Sequence, residues 1–295
     1  MPEEYTIDPK KAKDLWKDIL AIADKYAPAF ATYFLTAINK QKKALKQSDI
    51  VAAILTGNAA IIDKVLGWEK SFAEMLKMQE IFKKTAFKSA EKTAKILEIP
   101  FNPKMSYSFR YINEFSGLKI KNINTETYNA INELLKKSFK GELTVDETAL
   151  KIKSFIGLDE RRINALLNYE QALLKDGYRP AEIQKLLLQK QKEYIMERAI
   201  TIARTESMSA SNYGNIATYK DMVERGIITK DKYWLAWMIT PDDRLCNKCR
   251  AMKSKFANIG DNFYNESAKS PSELVFLESP PLHPRCRCTT YLVKK

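Results

Sequence analysis

The chain has 295 residues, 45% hydrophobic and 29% charged, with a formal net charge of +13. That length allows a sizeable core and two domains, and nine glycines are too few for a loop-rich all-β protein. No run of about 18 apolar residues occurs, which excludes a membrane-spanning helix. Met1-Pro2-Glu3-Glu4 carries no basic-then-apolar leader, so the expected setting is a cytoplasm with reduced thiols. The positive balance points to an anionic partner: nucleic acid, an acidic protein surface or lipid headgroups. Every basic residue before Arg110 is lysine, a bias that solvated helix faces also explain.

Taken in order, residues 1–100 read as helices. Leu15, Ile19, Ile22 and Ala23 follow helical spacing, and Pro28 is expected to kink or divide that element. Phe30, Tyr33, Phe34 and Ile38 continue the apolar face. Ser48 is the expected N-cap of a helix over 49–55, with Gly57 near its end. A lysine-rich amphipathic helix is expected over 68–97, with Phe72, Met75, Leu76, Ile81 and Phe82 on its core face. Prolines and serines over 101–123 suggest a connector with extended pieces.

Residues 124–232 resume the helical pattern. A helix over 125–139 ends at Gly141. Thr144 and Glu147 form a capping box for a helix that stops at Gly157, and another follows from Asp159 to Gly177. Pro180 opens the next at its first turn, reaching Lys192 or beyond, and a further long helix covers 194–224. Gly214, inside that helix, costs roughly 1 kcal/mol against alanine and implies a close helix crossing. From residue 233 the period becomes two: 233–240 and 289–293 read as strands whose antiparallel pairing would join the segments beside them.

Those segments hold every cysteine and the only histidine of the chain. Cys246 and Cys249 form a CxxC turn; His283, Cys286 and Cys288 follow in Pro281-Leu282-His283-Pro284-Arg285-Cys286-Arg287-Cys288. Five borderline or soft ligands are offered where a tetrahedral ion takes four, so either His283 or Cys288 is in excess. A structural zinc site is one reading; buried reduced thiols, or disulfide-paired ones, are the other. Lys248, Arg250, Lys253, Lys255, Arg285 and Arg287 crowd the same module and could contact phosphate without sequence preference; a solvated rim is the plainer reading. Arg204 and Glu206, in Arg204-Thr205-Glu206, lie two apart on a helix and therefore need separate partners; an internal salt bridge or a hydrogen-bond clamp to the strand region is the plainer reading and a catalytic pair the other, with Asp242-Asp243 a candidate partner.

The case for an enzyme is poor. The single histidine sits among thiols, and no P-loop, GxSxG or HExxH is present. A zinc filled by four protein ligands has no open position for substrate.

In combination, Arg198-Ala199, Ile202-Ala203-Arg204-Thr205-Glu206, Trp237, Asp243-Arg244-Leu245-Cys246-Asn247-Lys248-Cys249 and His283-Pro284-Arg285-Cys286-Arg287-Cys288 resemble the phage Mu protein F-like minor head proteins. The resemblance covers about residues 130–295. It implies a non-enzymatic minor capsid protein of a tailed bacteriophage or prophage, acting in head morphogenesis. Its implied partners are the portal protein, other capsid proteins and packaged DNA, and its implied location is the virion, or the host cytoplasm during assembly. It carries over Arg204, Glu206 and Asp243 as structural motif positions. The alternatives are a zinc-stabilised nucleic-acid-binding protein outside any virion and, more remotely, a nucleic-acid-processing enzyme. The expected fold is mainly α: an N-terminal helical region for partner docking (1–100), the connector (101–123), a helical middle domain (124–232) and a C-terminal β module with the cysteines (233–295).

Overall fold

The computed structural model describes residues 5–67, 76–103, 125, 127–264 and 277–295. The fold is mainly α, with one small antiparallel sheet near the C-terminus, as the periodicities predict. The chain forms two compact units, each assembled from separate stretches. One comprises Met1–Phe30, Gln79–Glu114 and Thr201–Lys295; the other comprises Ala31–Met78 and Phe115–Ile200.

Helix α1 runs from Pro9 to Ala44 with Pro28 inside it, so of the two expected effects, a kink or a division, the division does not occur. Proline removes one N–H and leaves the carbonyl four residues earlier without a helical donor. Pro28 and Asp24 both lie on the exposed side of the helix. Helix α2, Gln47–Leu55, starts earlier than expected: Lys46 is its N-cap and makes no side-chain cap bond. Ser48 therefore sits inside the first turn, and its hydroxyl bonds Asp49 instead. Gly57, at φ 61, closes the helix by donating its N–H to the Ile54 carbonyl.

After α3 (Ala59–Leu66), the expected helix over 68–97 is described only as α4, Met78–Ile96, with Phe82 buried and Ile81 half-buried. Phe72 and Met75 lie outside the described residues, as does most of the 101–123 connector. Helix α5 covers 127–139. Helix α6, Val145–Phe155, begins on the expected capping box, with both reciprocal bonds of Thr144 and Glu147 present. Asp159 caps α7, Glu160–Lys175, through the Arg162 amide.

Helix α8 spans Pro180–Glu224, where two helices were expected. Nothing between Lys192 and Tyr194 breaks a helix: no glycine, no proline, no competing cap.

In the second unit, Arg198 is 3% exposed. It donates to Thr127 Oγ1 at 3.1 Å and lies over the Phe34 ring. Thr127 passes its own proton to the Leu158 carbonyl at 2.6 Å. Gly157, at φ 87, makes the turn into α7; a Cβ there would lie 2.7 Å from Ile38.

The first unit is organised by the second half of α8. Gly214 meets α4 at the Ala86 carbonyl, the close crossing its mid-helix position implies. Ser211, Asn212, Asn215 and Thr218 are buried on the same segment. Ser89 Oγ bonds the Ser211 carbonyl at 2.6 Å and Thr218 Oγ1 bonds that of Ala90 at 3.3 Å, so α4 and α8 are held by hydrogen bonds as well as by close approach.

Strand β1 (Tyr233–Met238) pairs antiparallel with β3 (Thr289–Lys294) along its length, from Tyr233 opposite Lys294 to Met238 opposite Thr289. On its other side lies β2 (Phe256–Asn258), a three-residue strand too short to show a period in the sequence. The order is β2-β1-β3. The N-terminal segment reaches the far edge, where Ile7 N–H bonds the Leu292 carbonyl at 2.9 Å. Leu235, Trp237, Ala257 and Leu292 face a core shared with Leu15, Ile19, Tyr219 and Met222.

Candidate metal centre

The β1–β3 pairing brings the two cysteine-bearing segments together beside one end of the sheet. The first follows β1. Cys246 caps α9 (Asn247–Arg250), a single turn, with its sulfur accepting the Cys249 amide at 3.4 Å. The second precedes β3. His283 and Cys286 flank a tight turn closed by a bond from the Cys286 amide to the His283 carbonyl at 3.1 Å, with Arg285 in the left-handed region at φ 62.

The ligand atoms form two trios that share Cys249: Cys246, Cys249 and His283, then Cys249, Cys286 and Cys288, each within 4.8 Å of one another. His283 Nε2 lies 3.0 Å from the Cys246 sulfur and 3.0 Å from that of Cys249. The Cys249 and Cys286 sulfurs are 3.6 Å apart. His283 Nδ1 is 2.8 Å from the Pro284 carbonyl. A carbonyl only accepts, so Nδ1 carries the proton and Nε2 directs its lone pair at the sulfurs, the tautomer a metal needs.

Cys249, Cys286 and Cys288 are buried, and Cys246 is half-buried. Crowding splits the thiols. The Cys249 thiol is pushed up, first by its bond to Cys286, then by the bond to Cys288 and by burial. The Cys288 thiol is held down, first by the bond from Cys249 and then by that from Cys286. Such a set holds one thiolate readily; further thiolates need a cation among them. The donor set thus suits a borderline or soft divalent ion.

The surroundings are built to hold these segments. Asn212 donates to the Cys288 carbonyl at 3.0 Å. Asn215 donates to the Thr290 carbonyl at 2.7 Å and accepts from Thr93 at 3.0 Å. Trp16 Nε1 donates to the Arg287 carbonyl at 2.6 Å. Arg285 donates its backbone N–H to Thr205 at 3.0 Å and its Nε to Thr201 at 2.9 Å. Sequence reasoning pointed to the Arg204-Thr205-Glu206 motif as a clamp but not to Trp16, Thr201, Asn212 or Asn215, because single polar residues inside a helix carry no distinctive signal.

The other expected site residues fall into separate places. Arg204 is exposed and Glu206 half-buried; the member of their motif that reaches the cysteine segment is Thr205. Asp243 is exposed, and its neighbour Asp242 takes a bidentate bond from Arg287. Arg287 thereby commits its guanidinium within the fold. Lys248, Arg250 and Lys253 are exposed, as is Arg285, while Lys255 is half-buried.

The polar face of α8 clamps a three-stranded sheet that carries a Cys/His cluster at its end, and together they form one module. The sequence profile of the Phage Mu protein F like proteins matches residues 144–291, half of the chain, and the protein belongs to that family of phage head morphogenesis proteins. No curated protein and no solved structure matches the chain. No helix among the described residues is long and apolar enough to cross a membrane.

Proposed function

We propose that the protein is a minor capsid component of a tailed phage or prophage that joins the head through the portal protein and resides in the virion, having assembled in the host cytoplasm. The observation that carries this reading is the clamp of α8 on the HPxCRC segment. The profile match spans that whole clamp, from the α6 cap to β3, so the family likeness extends to the structural unit and not to a short motif alone. The helices over 1–100 serve as the docking arm, the 101–123 segment as the connector, and residues 124–232 and 233–295 as the head-morphogenesis body. The cysteine cluster holds a structural zinc and performs no chemistry: the ligand atoms of each trio lie within 4.8 Å of one another, and five protein donors are present where a tetrahedral ion takes four. Exposed Lys248, Arg250 and Lys253 supply a sequence-independent contact to packaged DNA, in keeping with the net charge of +13.

The test is co-expression with the portal protein encoded in the same genome, followed by purification through the portal and mass spectrometry of assembled heads. Recovery of this chain on the portal and in heads at a few copies per particle is the expected result. Heads that contain none of it, made while the chain stays soluble and folded, would overturn the reading.

A further inference from the structure

We propose that the four ligands of the zinc site are Cys246, Cys249, His283 and Cys286, and that Cys288 is left outside the coordination sphere. This rests on the zinc reading above but not on the virion one. Each of the two segments presents its ligands at the first and fourth positions of a tight turn. In Cys246-Asn247-Lys248-Cys249 the fourth residue's amide bonds the first residue's sulfur at 3.4 Å. In His283-Pro284-Arg285-Cys286 it bonds the first residue's carbonyl at 3.1 Å. The turns face each other: His283 Nε2 is equidistant, at 3.0 Å, from the sulfurs of Cys246 and Cys249, while Cys249 and Cys286 stand 3.6 Å apart. Zinc bonds of about 2.3 Å to sulfur and about 2.0 Å to nitrogen imply tetrahedral edges of roughly 3.5–3.8 Å. The sulfur pair matches; the two nitrogen–sulfur edges need to open by roughly half an ångström, and Cys286, which does not lie within 4.8 Å of His283 or Cys246, closes on them as a central ion replaces the thiol hydrogen bonds.

Cys288 does not share this arrangement. It stands two residues beyond the second turn, at neither turn's first nor fourth position, and joins the cluster only in the trio with Cys249 and Cys286. Its carbonyl is tied to Asn212 and its side chain is fully buried. The charge pattern agrees. Three thiolates and a neutral imidazole around a divalent ion leave a net charge of −1, and each turn carries a cation at its third position, Lys248 and Arg285.

The full chain, purified with reductant, would be measured for zinc by native mass spectrometry and for ligand type by the absorption spectrum of its cobalt(II)-substituted form. The expected result is one zinc per chain and a spectrum of three sulfurs and one nitrogen. Cys288→Ala should leave both unchanged. Cys286→Ala and His283→Ala should weaken zinc binding by more than roughly 100-fold, beyond what loss of an outer-shell partner does. Because His283→Ala could unfold the module, His283→Cys serves as the second variant: it should retain zinc and move the cobalt spectrum to four sulfurs. A wild-type chain without zinc, a four-sulfur spectrum in the wild type, or loss of zinc in Cys288→Ala with retention in His283→Ala would each overturn the assignment. All of these are read on the isolated chain, so they can fail while portal association holds, and the reverse.

Discussion

Gly214 of α8 touches Ala86 of α4: a Cβ built at Gly214 would lie 1.9 Å from the Ala86 carbonyl oxygen. Helix propensity favours alanine at that position by about 1 kcal/mol, but the obstacle is backbone, which cannot swing aside. We expect Gly214→Ala to lower stability by about 3 kcal/mol, the upper part of the range for overpacking. Urea denaturation followed by circular dichroism checks the sign; a stabilised variant would mean the two helices do not cross there.

The polar clamp between α8 and β3 is the second point of test. Asn215 serves two elements at once, donating to Thr290 and accepting from Thr93, and all three are buried. Asn215→Ala leaves the Thr290 carbonyl unpaired, at a cost of about 1–3 kcal/mol, while the Thr93 hydroxyl keeps the Ser89 carbonyl as acceptor. Asn215→Leu should be no better, although it adds apolar volume. Equal stability of the leucine variant and the wild type in the same denaturation would show that the network contributes nothing net.

Asp242 and Arg287 give a pH dependence with a definite sign. The Arg287 hydrogen bond, more than any other contact, holds the Asp242 carboxyl below its ordinary range. A carboxyl with a depressed folded-state pKa stabilises the fold above its unfolded value, about 3.9, and that contribution disappears as pH falls through the folded value. Asp242→Asn should therefore lose stability near neutrality and converge with the wild type below about pH 4. Thermal melts of both proteins across pH 3–7 test this, and comparison of the pair cancels proton competition at the thiols.

Removing the proposed zinc should loosen more than the C-terminal module. Trp16 is tied to the Arg287 carbonyl and Ile7 to that of Leu292, so the start of α1 leans on the segment that carries His283, Cys286 and Cys288. Chelation should raise amide hydrogen exchange at residues 5–16 together with 283–292, and leave α6 and α7 protected. Exchange that rises only in 246–292 would show that the N-terminal contacts do not depend on the cluster.

Local chemistry made much of this fold legible. The Thr144–Glu147 capping box, the Asp159 cap and the glycines at 141, 157, 177 and 226 are each settled within a few residues, and each terminates or starts a helix as expected. The expectations that did not hold also have local causes. Pro28 lies on a solvated face and does not divide α1, and Ser48 yields the cap to Lys46 because α2 starts earlier.

The sequence by itself determined that the body is helical, that two strands flank the thiol segments, and that four cysteines and one histidine converge in a chain resembling phage head proteins. These follow from periodicity and from the rarity of the residues involved. Only the tertiary structure decided that α8 is one helix pressed on α4 at Gly214, that Asn212, Asn215, Thr201 and Thr205 hold the cysteine segment, and that Arg287 is committed to Asp242. Such bonds join residues tens to more than a hundred positions apart, and their value arises from burial, which no single window of sequence records.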